Sequence, residues 1–419
     1  MVKKLFFAFF FAIFFFVDTT IFYRVIIGND FFSFLLVIIA LVITAFIVLE
    51  SLLKNKNRLL SQRNNFALLL FYILICSSIH LYIGQGLTSL IQYFLTLLQG
   101  VFLFILLLDS RYRQILILSY LCALAFHAIT IVPYFDFLTQ RLSEHTNYEE
   151  GAYSIGFFTR RATGFFNSPG QLSLFASGGL GLGLYFLNHK RKIGFSYVIL
   201  SVILGFASFS RSFFIVFFLI LIFNLLILKI KAKIQLLLFI FITTLIALNN
   251  SVINDYFTFI SDRLDLLSDM DTNDRITGET GIQEVFKCIV RYPFFGNPII
   301  EDGSSLKAWN GEISIRPHTG ILSIITFYGI IFGLPLLWLI LNSFKRLMLQ
   351  TKILFLTKKH SFKLNINYPF FYSFIAINII CLVEPLIETT VYFFFLFGTL
   401  ASNDKFLSIQ TRNSNRYGY

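Results

Sequence analysis

A small set of arginines stands where a chain threaded through a membrane ordinarily avoids cations. Most Lys and Arg fall in loops on one side of the apolar segments. Arg160, Arg161, Arg211, Arg275, Arg291 and Arg316 fall on the other side, where Lys is almost absent. That placement runs against the positive-inside bias and needs a chemical reason. An anionic substrate arriving from the outer leaflet supplies one, because a guanidinium offers a planar fork of donors that matches phosphate bidentately. His318 lies two residues after Arg316, and an imidazole takes or gives a proton near neutral pH. Glu384 and Glu388 flank Pro385 between two apolar runs. Carboxylates there are costly unless they face a wet cavity or a partner. These residue types imply a recess, open outward, with a cation and carboxylates near its floor.

Each candidate has a local setting. Arg160 and Arg161 precede Thr163, Gly164 and the turn Asn167-Ser168-Pro169-Gly170, which opens an apolar helix. Free backbone N–H groups at a helix start themselves favour an anion; the alternative is that one arginine of the pair reaches to lipid headgroups. Arg211 stands alone in Phe-Ser-Arg-Ser-Phe-Phe at the tip of an apolar hairpin, with a salt bridge to Glu384 or Glu388 as its structural alternative. His318 opens an apolar run after Pro317, so it is either a proton-transfer group or a helix cap. His80 and His127 lie inside apolar runs and read as packing residues; His145 and His360 read as solvated.

The elements that must position these side chains are membrane helices. Apolar residues make up 57% of the 419 residues and charged residues only 13%, about half the charge of a soluble domain. The 55 phenylalanines exceed what one water-soluble core could hide. Although the net charge is +12, the basic residues occur in short runs between apolar segments. That pattern sets topology and excludes nucleic-acid binding. A span takes about 20 apolar residues. Twelve candidates lie near 5–27, 31–53, 66–83, 87–108, 114–134, 171–187, 193–209, 212–228, 234–250, 319–341, 367–383 and 387–403. With both termini in the cytoplasm, the basic runs at 54–63, 111–113, 190–192, 229–233, 345–363 and 405–416 all fall inside. Only three of the 22 acids, Glu50, Asp109 and Asp404, share those loops. Lys3 and Lys4 before an apolar run resemble a signal peptide, but no small-residue cleavage site follows, so this stretch reads as an uncleaved first span. Of the four cysteines, Cys76, Cys122 and Cys381 lie inside apolar runs, and Cys288 lies in an outward loop with no evident disulfide partner.

The expected fold is therefore an all-α integral membrane protein, one polytopic domain over 1–419 with two large outward loops at 135–170 and 251–318. Loops of this length are uncommon and usually functional. The second is expected to be partly helical, since Ile282, Val285, Phe286, Ile289 and Val290 recur at helical spacing. Its acidic approach, 255–274, reads as a solvated face and matches no standard metal-ligand loop. Glycine, serine and proline then suggest an irregular stretch from Gly296 to Pro317. The segments 193–228 and 367–403 each fit two spans into fewer than 40 residues. Their tips, with Arg211 and with Glu384 and Glu388, should thus sit below the outer surface.

Three stretches taken in order resemble the O-antigen polymerase and O-antigen ligase superfamily: Arg161-Ala-Thr-Gly-Phe-Phe-Asn-Ser-Pro-Gly, Ser210-Arg211-Ser212, and His318-Thr-Gly-Ile-Leu-Ser-Ile-Ile-Thr-Phe-Tyr-Gly329. Arg291-Tyr-Pro-Phe-Phe-Gly296 is similar to the family segment upstream of the histidine. The resemblance covers about 155–340 and the twelve-span layout. It implies a membrane glycosyltransferase of the bacterial inner membrane that uses undecaprenyl-diphosphate-linked glycans as donor and acceptor, without cofactor or metal. A chain-length-regulating co-polymerase would be a further partner. By the same resemblance, Arg161, Arg211 and Arg316 would hold the diphosphate, and Arg160 joins them by its place beside Arg161. The residue matching His318 would activate the acceptor hydroxyl or assist the leaving group; Arg211 and Glu384 join it as catalytic candidates by their placement at the hairpin tips, not by the resemblance. Thr319 stands where ligases carry Asn, Ser or Gln, and Phe332 where a small residue is expected; both favour the polymerase branch. A ligase acting on lipid A–core is the nearest alternative. A flippase for lipid-linked oligosaccharides would not need two large outward loops, and a transporter of the two-times-six kind would show repeated halves, of which there is no trace.

Overall fold

The computed structural model describes residues 2–18, 21–22, 28, 30–84, 87–130, 162–166, 168–208, 210–227, 282–301, 305–315, 317, 320–357, 369–382, 384 and 386–401. The apolar runs, and the short basic segment α3 between two of them, form helices: α1 (Val2–Phe16), α2 (Asp30–Lys54), α3 (Lys56–Ser61), α4 (Arg63–Tyr82), α5 (Leu87–Leu108), α6 (Ser110–Ile129), α7 (Pro169–His189), α8 (Arg191–Ala207) and α9 (Arg211–Ile227). After the amphipathic α10 (Ile282–Arg291) come three strands, β1 (Pro298–Glu301), β2 (Ser305–Trp309) and β3 (Ser314–Ile315). The chain then returns through α11 (Gly320–Thr357), α12 (Phe371–Cys381) and α13 (Thr390–Ala401). Among the described residues five helices are long and apolar enough to cross a membrane, namely α4, α6 and α7 whole or nearly so and the apolar parts of α2 and α11. The described parts of α5, α8, α12 and α13 are shorter but equally apolar. These apolar helices mark a multi-pass membrane protein. The expected span at 234–250 lies outside the described residues.

The core is built around α13. Its residues from Val391 to Ala401 are all buried, and it packs against α5, α11, α12, α7 and α1. Phe394 and Phe395 sit edge-on to one another and against Phe370, while Phe394 also meets Phe16 and Tyr120. Lipid tails are as apolar as these side chains, so burial from lipid yields little; close packing and hydrogen bonds must hold such a bundle. α7 meets that need with Gly178, Gly179, Gly181 and Gly183. At Gly181 any Cβ would strike the backbone of Ser373 in α12, and at Gly178 it would strike Phe395. Small residues thus bring α7 within backbone reach of its neighbours.

Two features depart from the sequence expectation. The stretch after Gly296 is not irregular. It forms a three-stranded antiparallel meander with Ile299 opposite Lys307 and Ala308 opposite Ile315. Ala308 and Ile315 pack with Val285 and Cys288 of α10 into a small outer core. α11 is not one rod either. Gly329, at φ 67° and ψ 179°, breaks it, and the turn that follows α10 fills the break. Ile330 N–H donates to Pro293 O (2.8 Å) and Ile331 N–H to Phe294 O (3.1 Å). On the other side of the break, Asn297 N–H donates to Thr326 O (3.4 Å). Gly296, also left-handed at φ 67°, lies against the Phe327 carbonyl. The orphan donors and acceptors of two half-helix ends are supplied by one turn.

Candidate functional site

The loop between α12 and α13, with Glu384 and Glu388, is where the expected motif segments gather. Glu384 is half-buried. Ser212, the second residue of α9, lies with its hydroxyl 3.4 Å from Glu384 Oε1 and donates to it. The Ser210 and Ser212 hydroxyls are 2.7 Å apart, so the two serines around Arg211 turn toward this carboxylate. Gly170, at the start of α7, faces it as well: a Cβ there would sit 3.3 Å from Glu384 Oε2. Gly320, the first residue of α11, packs on the same loop, where a Cβ would lie 2.7 Å from the Cys381 carbonyl and 3.0 Å from that of Glu384.

The segment before α7 is fixed by specific hydrogen bonds. Ser168 caps the helix by accepting from Gln171 N–H (3.3 Å), and Pro169 occupies its first turn, an arrangement favoured at helix starts. Ala162 N–H donates to Ala207 O at the end of α8 (2.8 Å). The residue after Arg161 is thereby tied to the hairpin that carries Arg211. His127 is more than a packing residue. Its Nδ1 accepts from Phe165 N–H (3.0 Å), which leaves the proton on Nε2 to donate to Phe16 O (2.9 Å). The ring bolts the Thr163–Phe166 turn to α6 and α1, and Gly164, at φ 60°, leaves room for it.

Arg160, Arg161, Arg275, Arg316 and His318 lie outside the described residues, as do the first outward loop through Arg161, residues 251–281, His145 and His360. Arg211 begins α9, but its side chain too lies outside them. What the structure brings together around Glu384 are Gly170, Ser212 and Gly320, with Ser210 beside Ser212, while Ala162 is tied to the end of α8. Arg291 stands elsewhere. Its Nη1 donates to Asn310 O (3.1 Å), its guanidinium leans over the Tyr292 ring, and Gly311, at φ 105°, makes space for it. It fastens the end of the β2 strand to α10. There, burial pushes the Cys288 thiol up to about 11.

Glu388 meets a different environment. The hydroxyls of Tyr72 and Tyr93 donate to its Oε1, the latter at 3.2 Å, and Tyr328 donates to Oε2 at 3.5 Å. The Tyr93 and Tyr328 hydroxyls are 3.0 Å apart, and His80 Nε2 lies 3.0 Å from that of Tyr328. The His80 and Tyr93 rings stack at 4.0 Å. His80 is therefore part of a buried polar network and not a packing residue alone. Tyr72 is the tenth of the 20 residues of α4, so Glu388 meets that helix about 14 Å from either end, near mid-depth. Sequence reasoning found the carboxylate but not its partners; three tyrosines scattered through apolar runs carry no mark of convergence. Among the described residues no three His, Cys, Asp or Glu side chains gather to hold a metal ion.

No family model matches this chain, and no curated protein or solved structure matches it either. The geometry, the motifs and the membrane setting are thus what a functional reading stands on.

Proposed function

We propose that this chain polymerises undecaprenyl-diphosphate-linked oligosaccharide repeat units into a surface polysaccharide, O-antigen or capsule, on the outer face of a bacterial inner membrane. In this reading twelve helices span the membrane, both termini are cytoplasmic, and the long loops cover the outer face. One observation supports it above others. Glu384 accepts from Ser212 at the start of α9 and faces Gly170 at the start of α7, and the start of α11 packs on its loop; these three places follow, in the chain, the arginine pair, Arg211 and His318. Residues far apart in sequence then border one recess.

The transfer would be a single displacement. An acceptor sugar hydroxyl gives its proton to Glu384 or His318 while its oxygen attacks the anomeric carbon of the donor. The bond from that carbon to the diphosphate oxygen breaks, and the bonding pair leaves with undecaprenyl diphosphate. The anomeric centre inverts. Arg160, Arg161, Arg211 and Arg316 hold the diphosphate and stabilise the charge that grows on it, the kind of electrostatic stabilisation that dominates many transfers. Proton transfer needs hydrogen-bond reach, directly or through one water, which the short α12–α13 hairpin gives Glu384 by holding it at the floor of the recess.

Lipid-extracted glycans from cells carrying Arg211→Ala test this reading. The expected result is single repeat units on the carrier, with the protein still in the membrane. Arg211→Lys should restore little, because a point charge does not reproduce a bidentate contact. Full-length polymer in the Ala variant would remove Arg211 from the mechanism. Long chains left on the carrier in the deletion strain would instead identify a ligase.

A further inference from the structure

The outer helix α10 has two unlike exposed faces. Val285 and Cys288 point into the small outer core. Phe286 and Val290, one turn apart, are 51% and 78% exposed, and Phe294 and Phe295 in the turn beyond are 60% and 58% exposed. Gln283, Lys287 and Arg291 occupy the neighbouring exposed strip. Four large apolar side chains on an outer loop are too many to leave in water without a partner.

What lies beside them identifies the partner. Phe294 and Phe295 are hydrogen-bonded and ring-packed onto the break in α11: Phe294 O accepts from Ile331 N–H, and Phe295 stacks obliquely on Phe332 at 5.3 Å. From that point the exposed side of α11 continues as Ile330, Ile331, Leu334, Trp338 and Leu341, a stripe at helical spacing on a helix long and apolar enough to cross a membrane. The two surfaces are one surface. Depth agrees. The first basic residues along α11 after the break are Lys345 and Arg346, which at about 1.5 Å per residue places Gly329 about 24 Å from Lys345. The hydrocarbon layer is about 30 Å thick, so a charge at one edge leaves the break a few ångströms inside the other. Amphipathic interfacial helices sink about 5–10 Å.

We propose that α10 and the turn 292–296 form a wedge immersed in the bilayer, with Phe286, Val290, Phe294 and Phe295 covered by lipid acyl chains and Gln283, Lys287 and Arg291 at the headgroup level. The wedge anchors the outer sheet sideways to the membrane, independently of any glycan chemistry.

Tryptophan fluorescence of the full-length protein tests this. In a Trp309→Phe, Trp338→Phe background, a single tryptophan is placed by Phe294→Trp or, for comparison on the same segment, by Gln283→Trp. The protein is reconstituted in phosphatidylethanolamine–phosphatidylglycerol vesicles whose acyl chains are brominated. The Phe294→Trp variant should be quenched severalfold more strongly than Gln283→Trp and should emit at shorter wavelength. Equal weak quenching with red-shifted emission would overturn the proposal by placing the face in water. Weak quenching with blue-shifted emission would overturn it by placing the face against protein. Should Phe294→Trp fail to fold, Phe286→Trp carries the same expectations.

Discussion

Glu384 and Glu388 are four residues apart on one loop, yet the structure treats them oppositely. Glu388 is held from three sides by phenols on three helices, α4, α5 and α11. Glu384 accepts from the Ser212 hydroxyl and faces Gly170, at the starts of two helices. Three stiff aromatic donors fix Glu388 inside the bundle, whereas Glu384 lies beside helix starts that follow the candidate arginines in the chain. The first arrangement suits anchoring and the second suits chemistry. Glu388 fastens the loop to the bundle so that Glu384 is presented at a constant place.

That contrast breaks if the two residues fail in the same way. Glu384→Gln should give the largest functional loss, on the order of 10²–10⁴-fold in polymer formation, as for removal of a proton-transfer group. Its thermal unfolding midpoint in detergent should stay close to that of the parent. Repeat-unit transfer with purified protein, alongside a melting curve, checks both halves; an active Gln variant would end the catalytic assignment. Glu388→Ala should behave in reverse. It removes the acceptor of the buried Tyr72 hydroxyl and leaves Tyr93 and Tyr328 only each other and His80, so the expected loss is about 1–3 kcal/mol. Low membrane levels and a markedly lowered melting midpoint would report it.

Smaller effects sharpen the comparison. Tyr72→Phe removes one donor and should cost about 1–2 kcal/mol. In a double-mutant cycle with Glu388→Gln the two losses should be clearly less than additive, because the residues share one network; strict additivity would show that the network carries no coupling. The smallest effect concerns the outer layer. With its thiol pushed up to about 11 from an ordinary value of 9.0, Cys288 holds about 100-fold less thiolate in the folded protein than a free thiol at the same pH. Maleimide labelling at pH 8 should therefore be slow until the outer core opens. Because the folded value is the raised one, the associated stability is complete below pH 9 and is lost as pH rises toward 11. Cys288→Ala should flatten that alkaline decline.

Much of this organisation was legible in the sequence, and the rest was hidden for physical reasons. Long apolar runs announced the membrane helices, and the i, i+3, i+4 spacing of Ile282, Val285, Phe286 and Ile289 announced α10. Both carboxylates stood out because charge is expensive amid apolar residues. The phenols of Tyr72, Tyr93 and Tyr328 did not, since a tyrosine in an apolar run reads as an aromatic core residue until its distant partner is seen. The strands escaped notice because four-, five- and two-residue pieces are too short to show a period. The break at Gly329 escaped because apolar residues continue on both sides, so no change of composition marks it. Around Glu384 the sequence named the candidates, while the structure describes the neighbours of those it covers.

The break in α11 also bears on how the protein is made. Bare N–H and C=O groups are not tolerated in hydrocarbon, so a membrane helix interrupted at Gly329 would be a hazard during insertion. The turn 293–297 that supplies its missing partners precedes the helix in the chain and leaves the ribosome first. The stopper exists before the gap it fills. A permuted gene that delivered residues 282–315 after α11 would encode the same contacts, yet would expose an unpaired break to lipid until the late segment arrived.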